Sequence, residues 1–372
     1  MVKRTPHSGS TLDAARMTQP PSPPRPNEGD ATPPNSEEQA ENESPATPSL
    51  LGKHLGRTAL IIGVLTVLVY GGLIFYADSG SILSAMSRLS PGLVITAALL
   101  SCGNYLVRFA RWHLYLGHLG LRIPLNESLC VFLSGFSMTL TPGKVGEILK
   151  SVLLKKSRDI PLSRTAPIVL AERVTDLAGL VILIAIGSLA FSYGKVITVG
   201  AIIGVSLIIA LSASRRFADM FTRLCSHLPL IRNKTRQLSQ AFEALRTLSS
   251  ARALLVSIPL SIVAWSLQCV GMWYLALGFA EIELSLVASC FAYSFPLLAG
   301  TVAMIPGGLG LAEVSMTGVL DQLAVGQGAL PVAATITILV RLVTFWLAIG
   351  IGIAAVAWWA RNYSHRSPPI RR

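Results

Sequence analysis

The chain has 372 residues, of which 52% are hydrophobic and only 13% charged, and its mean hydropathy is +0.58. Soluble domains carry about a quarter charged residues, so this composition excludes an ordinary soluble globule and points to an integral membrane protein. The net charge of +12 is uneven: residues 1–50 hold four Lys/Arg against seven Asp/Glu, the remainder 27 against 12. Basic excess in such a chain marks cytoplasmic loops facing anionic lipid. No basic stretch interleaves aromatics as a nucleic-acid groove does, so no nucleic-acid partner is expected.

Residues 1–50 contain ten of the 22 Pro, with Ser, Glu, Asn and Thr. Such a stretch cannot bury a core and reads as a disordered, Pro-rich cytoplasmic tail. No basic n-region runs into an apolar core at residue 1, so no cleaved signal peptide is expected. A crossing helix needs about 20 apolar residues. Candidates are 58–77, 91–113, 174–192, 196–213, 254–279 and 331–359. Two apolar stretches differ. Residues 125–141 are short and end at Pro142-Gly143; residues 284–304 run into Ile305-Pro306-Gly307-Gly308 and then a weakly apolar 309–326.

Positive charge orients the spans. Of the 27 cations after residue 50, 24 fall in segments assigned to one side, with Arg88, Lys195 and Arg341 outside them. Both termini are then cytoplasmic. The stretch around 125–141 has Arg108, Arg111 and Arg122 before it and Lys144, Lys150 and Lys155 after it. It must enter from the inside and turn back, and by parity 284–326 does the same from the outside. The breaks at Pro142, Gly143 and Gly146, and at Pro306, Gly307, Gly308 and Gly310, fall where such turns are needed. An offset of 164 aligns the two Pro-Gly pairs, sets Glu147 near Glu313, and leaves Arg173 and Arg341 at 31 and 35 residues past their turns. That is the arrangement of inverted repeats whose broken helices meet near the membrane midplane. The expected fold is an all-α polytopic membrane protein of about six full transmembrane helices plus two oppositely oriented re-entrant helix pairs. Its membrane domain spans 51–362, with half one at 91–192 and half two at 254–359. A basic tail, 363–372, follows. Between the halves, 215–252 alternates apolar and basic faces and reads as an amphipathic cytoplasmic segment on the inner leaflet.

Charges inside spans are costly and so mark candidate sites. Glu172 and Asp176 share a helix face, with Arg173 three residues from Asp176. They either staple helices or bind a proton or cation. Lys144, Glu147 and Lys150 surround the first turn, where helix amides and lysines suit a phosphate. Arg108 and Arg111 end the second span and can grip a lipid phosphate or anchor the inner face. Arg341 lies deep in an apolar run and needs a partner, for which Glu313 is the candidate. Catalytic fingerprints are missing from the sequence: the six His form no metal spacing, no GxSxG or GxGxxG occurs, and none of the five Cys forms CxxC. No enzyme activity, metal or cofactor is expected, and the cysteines read as buried small hydrophobes.

These elements resemble the transmembrane region of lysylphosphatidylglycerol synthases, the flippase-like domain family. The resemblance rests on Arg111 in RFARWHLYL, PGKVGE (142–147), ERVTD (172–176), PGGLGLAE (306–313) and Arg341, and covers about 55–360. Lys144 stands where the family pattern usually has Arg, which keeps the charge but loses the bidentate fork. The soluble aminoacyl-transfer domain of full synthases is absent from this sequence, so synthase activity is not carried over. The resemblance implies a bacterial inner-membrane protein that handles phospholipid or polyprenyl-phosphate lipids. The expectation is a flippase-like transporter whose partners are those lipids and a lipid-modifying enzyme. The alternatives are a membrane component of lipid-linked glycosyl or aminoacyl transfer, and a non-transporting scaffold.

Overall fold

The computed structural model describes residues 63–64, 66–75, 78–141, 146–191, 243–248, 250–325 and 329–363, with parts of 196–206. The expected tail 1–50, the start of the first span, the turn residues Pro142, Gly143 and Lys144, most of 196–213 and of 215–252, and the basic end 364–372 lie outside the described residues.

Among the described residues the chain is helical, with one isolated bridge and no strand. The helices are α1 (Thr66–Phe75), α2 (Ser79–Arg88), α3 (Pro91–His118), α4 (Leu125–Ser134), α5 (Leu149–Arg158) and α6 (Leu162–Gly187) in the first part. The second part holds α7 (Ala251–Ala276), α8 (Leu286–Val302), α9 (Leu311–Asp321), α10 (Leu330–Arg341) and α11 (Leu347–Asn362). Three stretches are long and apolar enough to cross a membrane: α3, residues 252–276 of α7, and the run from α10 through α11. α6 has the length but carries Glu172, Arg173 and Asp176 along its middle. Outward-facing Ile95, Leu99 and Leu106 on α3, and Leu255 and Val263 on α7, are more than half exposed, as suits a lipid-facing surface.

Several elements differ from the sequence expectation. The 58–77 span followed by a loop becomes two helices, α1 and α2, meeting at 90°; Asp78 caps α2 by accepting from the Ser81 amide at 3.1 Å. α6 begins at Leu162, twelve residues before the expected apolar span, and its first turns bury Thr165, Pro167, Ile168, Val169 and Ala171 in the protein. The final span is interrupted by a π-helical stretch, Leu342–Trp346, directly after Arg341. Such bulges often sit at functional positions.

Two helical hairpins stand out. In the first, α4 continues as a 3-10 turn (Gly135–Met138), the chain breaks, and α5 returns. Glu127, in the first turn of α4, accepts from Ser157 Oγ at 2.8 Å and Arg158 Nη2 at 2.5 Å at the end of α5. In the second, α8 meets the break at Pro306–Gly308 and α9 returns. Ile282 and Ala324 pair across its base, with Val325 N donating to Glu281 O at 2.9 Å. Each hairpin therefore starts and ends at one level.

Packing follows the same pairing. Among the described helices, α3 packs most extensively on α7. α8 packs on α6, and correspondingly α4 packs on α11. One apolar cluster joins the end of α6 to α7–α10, including Trp265, Met272, Phe291 and Leu339. A second joins α3, α4, α5 and α11 through Trp112, Tyr115, Phe132 and Trp359. Leu245 and Leu248, the described end of the amphipathic segment, pack into this second cluster.

Candidate functional site

The first hairpin break brings charges from α3, α5 and α6 together in the interior. Arg111 on α3 is fully buried, and its Nη2 lies 2.7 Å from Asp176 Oδ1. Asp176 also accepts from Ser261 Oγ at 3.0 Å and Trp265 Nε1 at 3.2 Å on α7. Arg108, one turn earlier than Trp112 on α3, reaches Asp176 Oδ2 only at 3.9 Å. Its guanidinium rests between the Phe136 and Trp265 rings, 5.3 and 5.5 Å from their centres. Lys150 on α5 pairs with Glu172, lies 3.8 Å from Glu147, and sits 4.6 Å from the Trp112 ring centre. Arg173 pairs with Glu147.

Sequence spacing set Arg173 against Asp176 on one helix. The fold instead sends Arg173 to Glu147 and gives Asp176 to α3. The reason is rotation: α6 turns its acidic face toward α3 and α7, and the residue beside it then faces the hairpin break. Among the described residues, the cluster sets Arg108, Arg111, Lys150 and Arg173 against Glu147, Glu172 and Asp176. Four cations face three carboxylates. Arg108 Nε and Arg111 Nε and Nη1 have no hydrogen-bond partner among those residues, and neither do the carboxylate oxygens Glu172 Oε1 and Asp176 Oδ2. Buried polar atoms left unpaired are unusual.

The second hairpin break carries a compact counterpart. Arg341 Nε donates to Glu313 Oε1 at 2.6 Å, the partner named from the sequence, and its Nη2 donates to Gly307 O at 2.8 Å. Its guanidinium carbon stands 4.0 Å from the Phe345 ring centre, one turn onward. Gly310 N donates to Glu313 Oε2 at 2.8 Å, and Tyr70 Oη to Oε1 at 3.5 Å. Trp346 Nε1 in turn donates to Tyr70 Oη at 3.0 Å, which ties α1 to this site. Gly307 has φ +61, and a Cβ there would stand 2.5 Å from Phe345 and 3.1 Å from Leu140. Only glycine fits where the two breaks meet.

Between the clusters lies a small cavity of about 60 Å³ whose lining includes Arg108, Glu147, Trp265, Gln268, Tyr293 and Arg341. A second, of about 40 Å³, adjoins it at Thr139, Leu297, Arg341 and Phe345 and reaches Gly307 and Gly308. The π stretch borders both. It leaves the Thr344 carbonyl to accept from Tyr105 Oη at 2.5 Å, a contact from α3. Gly352 on α11 lets the 3-10 turn approach closely, since a Cβ there would stand 2.3 Å from Ser137 N.

The fold thus gathers Arg108, Arg111, Glu147, Lys150, Glu172, Arg173 and Asp176 at one place and Glu313 and Arg341 at another, on the two sides of one cavity system. Lys144 lies outside the described residues. Sequence reasoning missed Tyr70, Asn104, Tyr105, Gln268 and Tyr293. Asn104 and Gln268 left a signal, as amides inside otherwise apolar spans. Among the described residues no group of three or more His, Cys, Asp or Glu is gathered to hold a metal.

Apolar helices with charges sequestered around an internal cavity define a multi-pass helical membrane protein. The chain belongs to the lysylphosphatidylglycerol synthase TM region family, whose model matches residues 60–352. It is similar to a UPF0104 membrane protein of Pyrococcus horikoshii, 27% identical over 79% of this chain and 94% of that one. A UPF0104 membrane protein of Methanothermobacter thermautotrophicus is 25% identical over 77% of this chain and 90% of its own. A protein named Glycosyltransferase AglD, of Haloferax volcanii, is 27% identical over 75% of this chain but 51% of its own length. These relatives are archaeal.

Proposed function

We propose that the protein is a lipid transporter that moves an anionic lipid between membrane leaflets, with the headgroup passing through the cavity and the tail remaining in lipid. The observation that carries this reading is the buried cationic excess around Asp176 among the described residues, with Arg108 and Arg111 donors that have no partner among them, beside a cavity that Arg108 lines. An anionic headgroup neutralises that excess and supplies the missing acceptors.

The path is framed by an inverted repeat of two re-entrant hairpins, both termini being cytoplasmic. Two correspondences support this. Each break is followed by a glutamate paired to an arginine on the next long helix, Glu147 to Arg173 and Glu313 to Arg341. The first hairpin packs on the last helix of half two, and the second on the last helix of half one. The lipid enters from the cytoplasmic leaflet beside Arg108 and Arg111, and movement follows a gradient of lipid or ions. The chain itself catalyses no covalent step.

The test is transport in proteoliposomes, offering labelled anionic phospholipid and labelled polyprenyl phosphate, scored by protection from an impermeant quencher. Movement with the wild type, lost in Arg108→Gln, is the expected result. No movement of either lipid by folded protein overturns the reading. The relative named as a glycosyltransferase favours a second reading, a membrane component of lipid-linked sugar transfer. Sugar transfer by the purified chain, lost in Glu147→Gln, is the outcome that selects it.

A further inference from the structure

Charges around the two breaks do not close pairwise. Arg111 holds Asp176, Lys150 holds Glu172, Arg173 holds Glu147 and Arg341 holds Glu313. Among the described residues Arg108 is the cation left over. Its contact with Asp176 Oδ2 is 3.9 Å long, and its Nε has no hydrogen-bond partner there. The Phe136 and Trp265 rings flank the guanidinium where a second carboxylate would complete it.

The cavity of about 60 Å³ that Arg108 lines has donors to spare. Its hydroxyl protons are placed already: Tyr105 Oη donates to the Thr344 carbonyl, Thr139 Oγ1 to the Phe136 carbonyl and Thr344 Oγ1 to the Val340 carbonyl. The Tyr293 hydroxyl meets that of Thr344. The amides are not used up. Asn104 Nδ2 gives one N–H to Ala264 O at 2.6 Å and keeps another. Gln268 accepts from Ser101 Oγ at 3.0 Å through Oε1, and both N–H groups of its Nε2 remain. The carboxylate on this wall, Glu147, is engaged by Arg173 and lies 3.8 Å from Lys150. Asn104 Oδ1 and the hydroxyl lone pairs suit water.

A ligand that completes this inventory brings one negative charge and accepts without donating. Water carries no charge, and a cation meets the surplus of Arg108. A halide ion meets both conditions and accepts from any direction, and the volume suits an ion of one atom with a few waters.

We propose that Arg108, with the Asn104 and Gln268 amides, forms a site for a single halide ion, chloride in the cell. The ion neutralises Arg108 while no lipid headgroup is present. On the transport reading above, an arriving anionic headgroup displaces it, so that headgroup entry releases chloride.

Equilibrium dialysis of the detergent-purified full chain against labelled chloride, with gluconate holding ionic strength constant, tests the site. The wild type is expected to bind one chloride per chain saturably. Bromide is expected to displace it, and inorganic phosphate at the same concentration is not. Arg108→Gln is expected to weaken binding about tenfold or more. Gln268→Met, which removes the spare N–H groups, is expected to weaken it several-fold and carries the test should the first variant fail to fold. Three results overturn the proposal: no saturable chloride binding by the folded wild type, unchanged binding in a folded variant, or displacement by phosphate as effective as by bromide. Transport in proteoliposomes separates the two readings. Chloride bound without transbilayer lipid movement removes the transporter and leaves the site. Lipid movement by a protein that binds no chloride removes the site alone.

Discussion

The two hairpin breaks bury the same kind of ion pair and finish it differently. At the second, Arg341 is closed by Glu313, the Gly307 carbonyl and the Phe345 ring, and Glu313 takes further donors from Gly310 and Tyr70. At the first, the Glu147–Arg173 pair opens into a wider cluster in which Arg108 and Arg111 keep unused donors. A saturated buried charge behaves as architecture, since removing either partner strands the other. A cluster with spare donors in the interior has given up stability at that point, and such concessions concentrate where a ligand binds. Under the proposed transport, the second break holds the bundle together and the first is the one that receives the headgroup.

That contrast can be broken at graded cost. The largest expected loss is from Arg341→Ala, which leaves Glu313 charged and buried: about 3–5 kcal/mol of stability, read as thermal unfolding in detergent. Replacing both partners with Met should recover most of it, and failure to recover would mean that the pair does more than close the fold. Gly307→Ala comes next, at about 1–3 kcal/mol, because the backbone is left-handed there and Phe345 occupies the space. Glu127→Gln loosens the base of the first hairpin and is expected to cost about 1 kcal/mol, since Arg158 stays partly in water. Arg108→Gln is expected to change stability by less than about 1 kcal/mol, because its carboxylate contact is long. Its transport rate should nonetheless fall at least tenfold. A large stability loss in Arg108→Gln with transport intact would reverse the roles assigned to the two breaks.

Much of this was legible in the chain. The spans at 91–113 and 254–279 appear as α3 and α7, displaced by a few residues at their ends. Arg341, stranded in an apolar run, announced its need for Glu313. Other features were hidden. Arg173 and Asp176 look like partners by spacing, and nothing local says that they point to different helices. The π stretch at Leu342–Trp346 has no proline or glycine to betray it. Its carbonyl is held by Tyr105, 239 residues away in sequence. Asn104 and Gln268 were visible as amides, but their partners, the Ala264 carbonyl and the Ser101 hydroxyl, lie across the helix crossing.

By itself the sequence determined the solvent, the helical class, the places where the backbone must break, and the residues too costly to leave in lipid. Each of these follows from run length, proline and glycine stereochemistry, and the price of an uncompensated charge, all of which act locally. Only the tertiary structure decided which charge meets which, how each break is closed, and which amides line the cavity. Those outcomes depend on the rotation of each helix about its axis and on the face its neighbour presents, and packing across the whole bundle sets them.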